Sequence, residues 1–274
     1  MIVQSAPAGE PHFVVMMRDH TELAAQFARA FGNDDFEPVE PGSVVIDLVV
    51  HHDQGWAEWD AAPRIDPDTR LPYSLSRTPI DVVLKTNVAS PDFNERRHPY
   101  AGLLSSMHVC GLYNGRFGLT GPALLDRVSA EARPGVNAML EAEGTRQKRL
   151  RAGLSTDPET MPWVRAPHLF QNYKQLQFFD TLALYFNMRH EGERQDTSFS
   201  HVPLSADEDV PITISRLGSG TYGLFPYPFN KKPLVASFAG RYMLPLEPDD
   251  SRPLSTVLRS IHLDRQSVTL LPGH

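Results

Sequence analysis

The chain has 274 residues, 41% of them hydrophobic and 22% charged, which are ordinary values for a folded protein and exclude a disordered one. A chain of this length can bury a large apolar core, so it needs neither a metal nor a disulfide merely to fold. Its formal net charge of -7 argues against long nucleic acids as partners, because binding them needs a basic surface.

Cysteine usage and the short apolar runs favour a cytoplasmic protein. Cys110 is the single cysteine, so no intrachain disulfide can form and nothing indicates an oxidising compartment. The first residues lack the basic start and the apolar core of a signal peptide. The apolar run of residues 44–50 contains Asp47 and is too short to cross a bilayer. We therefore expect a cytoplasmic chain with no membrane partner, and a homo-oligomer is compatible with the composition.

Two helices are predicted in the first quarter of the chain. Residues 19–31 carry apolar side chains at helical spacing and precede a glycine that acts as a stop signal. His20 belongs to the apolar face of this helix, because it starts the i, i+3, i+4, i+7 stripe. Residues 43–60 are hydrophobic nearly all round in VVIDLVV, which favours a buried helix, with a buried strand as the alternative. In the helix, His52 lies on one apolar face and Asp53 lies at its edge.

The rest of the chain divides into a helical part and a β-rich part. A Pro-rich loop over 63–79 follows these first helices. Regular segments are then predicted over 80–88, 100–113 and 121–152, the last of them broken near Pro134 and Gly135. Residues 170–188 are predicted to form a long apolar helix. From Val210, short β-branched and aromatic runs alternate with Gly and Pro turns, which predicts a small antiparallel sheet. We therefore predict a helical domain over residues 1–205 and a β-rich module over residues 206–274 that packs on it.

A lone carboxylate in an apolar helix suggests a metal site. Asp180 lies inside LQFFDTLALYF, where a buried carboxylate is costly unless it is paired or bound to a cation. The alternative is an Asp180 that faces solvent or pairs with a nearby basic residue. His52 and Asp53 offer neighbouring nitrogen and oxygen ligands for Mn, Fe, Mg or Zn. Together with His20, these residues can supply four ligands from three helices.

The order H…HD…D, formed by His20, His52-Asp53 and Asp180, resembles the HD-domain metal-dependent phosphohydrolases, in which helices supply these four ligands. The stretch HHDQGW is similar to their HD-x-G turn, although Trp56 stands where several members have lysine. The resemblance implies a mainly α fold, an HD-domain-like helical bundle with a small C-terminal antiparallel β module. It also implies that His108 is an extra ligand for a second ion, with a packed structural histidine as the alternative.

Longer segments resemble a bacterial family that is known only as a domain of unknown function. They include the HDxGWxEWDAAPR pattern and are spread over most of the chain: HDQGWAEWDAAPRIDPDTRLPYS, YAGLLSSMHVCGLY, FQNYKQLQFFDTLALY and PYPF. This second resemblance implies no activity.

The HD resemblance implies hydrolysis of a small phosphorylated metabolite or nucleotide by a water that one or two divalent ions (Mn, Fe or Mg) activate. Asp53 is expected to hold the metal and accept the proton of the water, and His108 to hold a second ion. Lys174 is expected to offset charge on the small anionic substrate. Two other functions stay open, an HD-fold di-iron oxygenase that uses the same ligands and a non-enzymatic metal-containing binding protein.

Overall fold

A curled sheet that forms a half-barrel supports the fold in the computed structural model, which describes residues 1–120 and 124–273. Within those residues, its seven strands run in the order β1-β2-β6-β7-β5-β4-β3. Neighbouring strands are antiparallel except β5 and β7, which are parallel. The strands are β1 (Ile2–Val3), β2 (His12–Val15), β3 (Thr197–Pro203), β4 (Asp209–Gly218), β5 (Thr221–Phe225), β6 (Leu234–Met243) and β7 (Asp264–Pro272).

The helices pack around this sheet and against one another. They are α1 (Met17–Ala30), α2 (Gly42–His51), α3 (Ala57–Ala61), α4 (Ile80–Arg97), α5 (Pro99–Tyr113), α6 (Arg133–Leu154), α7 (Ala166–Met188) and α8 (Leu254–Ser260). Helix α1 contacts α2, α7 and β6, and α7 contacts α5 and β3. Over residues 1–120 and 124–273, no helix has both the length and the apolar character that crossing a bilayer requires.

The predicted fold class is wrong. About 49% of the chain is helical and 19% is strand, so the protein is not a mainly α HD-domain-like bundle with a small C-terminal antiparallel module. The sheet starts near the amino terminus, where Phe13 of β2 lies opposite Tyr242 of β6. The physical reason is that a four-residue strand such as HFVV is recognisable only from its pairing, and one of its two partners, β6, lies near the other end of the chain.

Most predicted helices occur, with shifted ends. The helix predicted over residues 43–60 stops at His51, and a short 3₁₀ turn (Gln54–Trp56) separates it from α3. The segment predicted over 121–152 starts on residues 121–123, which lie outside the described residues. Its predicted break near Pro134 is instead the first turn of α6, where a proline is tolerated because the first N–H groups of a helix have no partner.

Aromatic side chains fill the space between the sheet and the inner helices. The ring of Phe27 lies 6.2 Å from that of Phe186 on α7 and 6.0 Å from that of Phe229, and the ring of Phe31 lies 5.3 Å from that of Phe179. All five are buried. This packing fixes α1 beside α7, so polar residues on their facing surfaces are held within contact distance.

Candidate metal centre

Five histidine and aspartate side chains meet among the inner helices. His20 comes from α1, His52 and Asp53 from the end of α2, His108 from α5 and Asp180 from α7. Asp180 Oδ1 lies 3.1 Å from His20 Nε2 and 3.6 Å from His52 Nε2. Asp53 Oδ2 also lies 3.6 Å from His52 Nε2, and the ring of His108 is 5.3 Å from that of His52. The structure therefore brings together all five residues that the sequence suggests as ligands.

The spacing of these atoms suits a shared cation. His20, His52 and Asp53 form one group, and His52, His108 and Asp180 form another, with the donor atoms of each group within 4.8 Å of one another. Two ligand atoms bound at about 2.1 Å to one ion lie about 3.0 to 3.5 Å apart when they are adjacent in its coordination shell. The distances of 3.1 and 3.6 Å fall in or next to that range.

The protonation of His52 follows from its backbone contact. Its Nδ1 lies 2.8 Å from the carbonyl oxygen of Val49, which can only accept, so Nδ1 carries a proton. Its Nε2 is buried and has no hydrogen-bond partner among the described residues, although two carboxylates lie 3.6 Å away. A buried nitrogen with carboxylates on two sides needs either a second proton or a cation between them. The donor set thus fits a divalent metal.

His20 and His108 have amide partners on α7. His20 Nδ1 lies 2.9 Å from Asn187 Oδ1, which leaves Nε2 to face Asp180. His108 Nδ1 lies 2.6 Å from Gln177 Nε2, while Gln177 Oε1 is buried without a partner among the described residues. Rotating this amide by half a turn lets Oε1 accept from Nδ1–H, because amide oxygen and nitrogen have nearly the same size. All three histidines then donate through Nδ1 and can ligate through Nε2, the arrangement of metal-binding histidines.

Charge and burial act in opposite directions on these groups. Burial acts to lower the pKa of His52, but the carboxylates of Asp53 and Asp180 outweigh it and raise that pKa to about 9. Burial acts to raise the pKa of Asp180, but contacts with His20 and His52 hold it well below its usual value. Burial lowers the pKa of His108 to about 4, so this ring is neutral at physiological pH and can act as a ligand.

We expect metal binding to displace one proton from the centre. The pKa of His52 is about 9 in the folded metal-free protein, so at lower pH the metal must displace a proton from this ring. The affinity of the protein for Mn²⁺ should therefore fall about tenfold for each pH unit below about 9. The same proton stabilises the metal-free fold fully below the ordinary pKa of 6.5, and this stabilisation disappears as the pH rises through about 9. Calorimetric titration in buffers of different ionisation enthalpy measures the released proton. An affinity that is equal at about pH 6 and about pH 8 contradicts this expectation.

A fixed turn positions the His52-Asp53 pair. The N–H of Gly55 donates to Ser90 Oγ of α4 at 2.9 Å. A Cβ atom at Gly55 would lie 2.2 Å from the carbonyl oxygen of Thr86, so only glycine allows α4 to approach this closely. The glycine of the HD-x-G pattern therefore has a packing role in this chain.

Lys174 lies outside the group of ligands. It is six residues before Asp180 on α7, which directs it toward a different side of the helix. There it forms an ion pair with Asp209 of β4, and it lines a separate cavity together with Arg116. The structure thus places the predicted catalytic cation beside another carboxylate, and its charge is neutralised.

Sequence reasoning missed Asn187, the partner of His20. Asn187 follows Asp180 by seven residues, or about two turns, so both side chains lie on the same side of α7. That spacing was the available signal. The carbonyl oxygen of Val49, which fixes the proton on His52, gives no signal in the sequence because every residue has such an oxygen.

Comparison with known proteins gives a family but no activity. The profile of a family described as "Protein of unknown function (DUF3891)" matches residues 1–244, which include all five residues of the centre. No curated protein and no solved structure matches the chain.

Proposed function

We propose that this chain, which belongs to the family described as protein of unknown function DUF3891, is a metal-dependent hydrolase of small phosphorylated compounds. The observation that carries the proposal is the Nε2 atom of His52, which is buried without a hydrogen-bond partner among the described residues and faces Asp53 and Asp180. The ligand order in the chain, which resembles that of the HD-domain phosphohydrolases, supports hydrolysis as the reaction.

The residues of the centre have separate roles. His20, His52, Asp53 and Asp180 hold one divalent ion, and His108 adds a ligand for a second. Three imidazoles favour Mn or Fe over Mg, which prefers a shell of oxygen atoms. A bound ion lowers the pKa of a coordinated water enough to supply hydroxide near neutral pH.

Asp53 is suited to accept the proton of the attacking water. Its side chain is 18% exposed, against 7% for Asp180 and 0% for His20 and His52. A cavity of about 360 Å³, which Thr21 and Gln54 also line, reaches Asp53 from the surface. Water therefore has a path to this carboxylate, and a carboxylate within hydrogen-bond reach of the nucleophile can act as a general base.

Metal analysis joined to a phosphate-release screen tests the proposal. The purified protein is expected to contain about one to two Mn or Fe ions per chain and to release phosphate from small phosphomonoesters, with the activity lost on chelation and restored by the metal. Bound metal without phosphate release from any ester would refute the hydrolase and leave a metal-containing binding protein.

A di-iron oxygenase is the second candidate, because a carboxylate of the centre, Asp53 or Asp180, could bridge two ions, whereas His52 can bind only one through its Nε2. Its ligands do not differ in kind from those of a hydrolase. Iron bound after anaerobic purification, with an optical change on exposure to oxygen, favours the oxygenase. Activity with Mn²⁺ that is the same with and without oxygen favours the hydrolase.

A further inference from the structure

The cavity of about 360 Å³ that Asp53 lines is the cleft through which a ligand reaches the metal centre from solvent. The start of α1, the end of α2 and the short helix α3 form its walls. We call it the Asp53 cleft. A molecule that enters it meets a ligand of the proposed metal directly, because Asp53 is part of the cleft surface.

A hydrogen bond fixes two walls of the Asp53 cleft relative to each other. The N–H of Met17, the first residue of α1, donates to Asp60 Oδ2 of α3 at 2.7 Å. Asp60 is buried, and its Oδ1 accepts from the amino group of Met1 at 2.7 Å. The carboxylate of Asp60 is therefore already occupied, so it does little to repel an anion in the cleft.

Arg18 is the one cation among the described residues that line the Asp53 cleft. Its side chain is 74% exposed, and its Nε lies 3.6 Å from Asp19 Oδ2, which is too long for a hydrogen bond. Exposed ion pairs of this kind contribute little stability, so the guanidinium can turn toward a ligand at small cost. A guanidinium can bind two phosphate oxygens at once.

Apolar side chains form much of the remaining surface of the cleft. They belong to Met16, Val50, Ala57 and Ala61. Thr21 and Gln54 are the uncharged polar residues among the described lining residues, and the hydroxyl of Thr21 already donates to the carbonyl oxygen of Arg18 at 3.2 Å. A sugar or a nucleobase would leave several polar groups without partners on such a surface, which is unfavourable.

We propose that the Asp53 cleft binds phosphomonoesters of small apolar alcohols, and that Arg18 holds their phosphate group against the metal at Asp53. The proposal rests on the hydrolase function proposed above. A single cation in the described cleft suits one phosphate group, and a volume of about 360 Å³ is near the lower end of the range of about 300 to 1,000 Å³ for ligand pockets. Hydrolysis by water releases inorganic phosphate and the free alcohol.

The charges of the cleft make phosphate binding depend on the metal. In the metal-free chain, the carboxylate of Asp53 faces the cleft and repels an anion. A divalent ion at Asp53 reverses the sign of the charge there. Calorimetry should therefore detect binding of inorganic phosphate to the chain loaded with Mn²⁺ and none to the same chain in a chelator. Equal binding in both conditions overturns the proposal.

Arg18 variants of the full, metal-loaded chain test the phosphate contact. Arg18→Gln should bind inorganic phosphate about tenfold more weakly, because a charged pair of hydrogen bonds is lost. Arg18→Lys keeps the charge but not the planar fork, so it should recover part of the affinity. Arg29→Gln is the matched control, since Arg29 is an exposed, ion-paired arginine of α1 that does not line the cleft. Metal content should not change in any of them. Equal phosphate affinity in the parent and Arg18→Gln overturns the role of Arg18.

Two matched esters test the apolar wall. Butyl phosphate and glycerol 1-phosphate are both esters of short primary alcohols, so they differ chiefly in the polarity of the alcohol. We expect kcat/KM to be about tenfold higher for butyl phosphate, because its methylene groups are buried against apolar side chains. If no ester is hydrolysed, displacement of inorganic phosphate gives the same comparison. Equal values for the two esters overturn the substrate class.

Failure of the cleft and failure of the hydrolase have different results. A metal-loaded parent whose phosphate affinity ignores Arg18 refutes only the cleft. A metal-loaded parent that binds phosphate through Arg18 but hydrolyses no ester refutes the hydrolase and supports the cleft as a binding site. A parent that takes up neither Mn nor Fe refutes both.

Discussion

Asp53→Ala is expected to lose metal binding and hydrolysis while it keeps its fold. Asp53 supplies a ligand oxygen 3.6 Å from His52 Nε2. Its side chain is 18% exposed, so its removal leaves no large buried cavity and no buried donor that depends on it alone. Loss of one ligand from a small set should weaken metal binding by at least about a hundredfold. Loss of the general base should lower the hydrolysis rate by a further factor of about 10² to 10⁴.

Metal stoichiometry beside a thermal melt measures this effect. The metal-loaded parent should melt at a higher temperature than its metal-free form. Its free energy of unfolding should be larger by about 2.7 kcal/mol at a metal concentration of one hundred times Kd. Asp53→Ala should show no such increase. Glu58→Ala is the control, because Glu58 is an exposed carboxylate in the next turn and belongs to neither ligand group. If Asp53→Ala binds metal as tightly as the parent, the centre proposed here does not exist.

The parts of the centre that the sequence predicted depend on local periodicity. His20 lies on the apolar stripe of a helix, and a stripe that repeats with the helical period faces the interior. Asp180 is a single charge inside an apolar helix, so the cost of burying it already indicated a partner. Both side chains are buried as that reasoning requires, and they are 3.1 Å apart.

The sheet was not predictable in the same way. Strand β2 is a four-residue segment that pairs with β1 and with β6, and β6 comes after all the helices of the centre. Strand β7 lies parallel to β5 as well as antiparallel to β6. Pairings of this kind depend on contacts between distant parts of the chain, and the pattern within any one segment does not encode them.

Arg116 and Lys174 show the same limit for side chains. Gly115, Arg116, Phe117 and Gly118 all have positive φ, and the ring of Phe117 packs 5.2 Å from that of Tyr173, a contact that the local sequence does not show. Lys174 was predicted as a cation that offsets charge on the substrate. Its neighbour Asp209 belongs to β4, and only the folded structure shows that the two are paired.

Asp180→Ala is expected to have a larger effect than Asp53→Ala, because it removes both the bound metal and part of the stability of the fold. Asp180 is buried and contacts both His20 and His52. In the metal-free parent, its negative charge helps to raise the pKa of His52 to about 9, so the proton on that buried ring is compensated. Removing one partner of a buried ion pair costs about 3 to 5 kcal/mol, since the other charge is left without compensation.

Urea unfolding in the presence of a chelator measures this loss, and its pH dependence identifies the cause. The pKa of Asp180 is lowered from 3.8 and that of His52 is raised from 6.5, so the pair stabilises the parent fully between about pH 4 and about pH 6.5. That contribution is lost as the pH rises through about 9. The difference in the free energy of unfolding between the parent and Asp180→Ala should therefore shrink as the pH rises from about 6.5 to about 9.

Asp180→Asn is the matched control for this variant. It keeps the volume of the side chain and one acceptor oxygen for His20, so it should recover part of the stability that the alanine variant loses. It should not recover metal binding, because a neutral amide oxygen is a much weaker ligand than a carboxylate for a divalent ion in a buried site. An Asp180→Ala protein that is as stable as the parent at about pH 6 without metal contradicts the compensated pair. An Asp180→Asn protein with parental metal affinity contradicts Asp180 as a ligand.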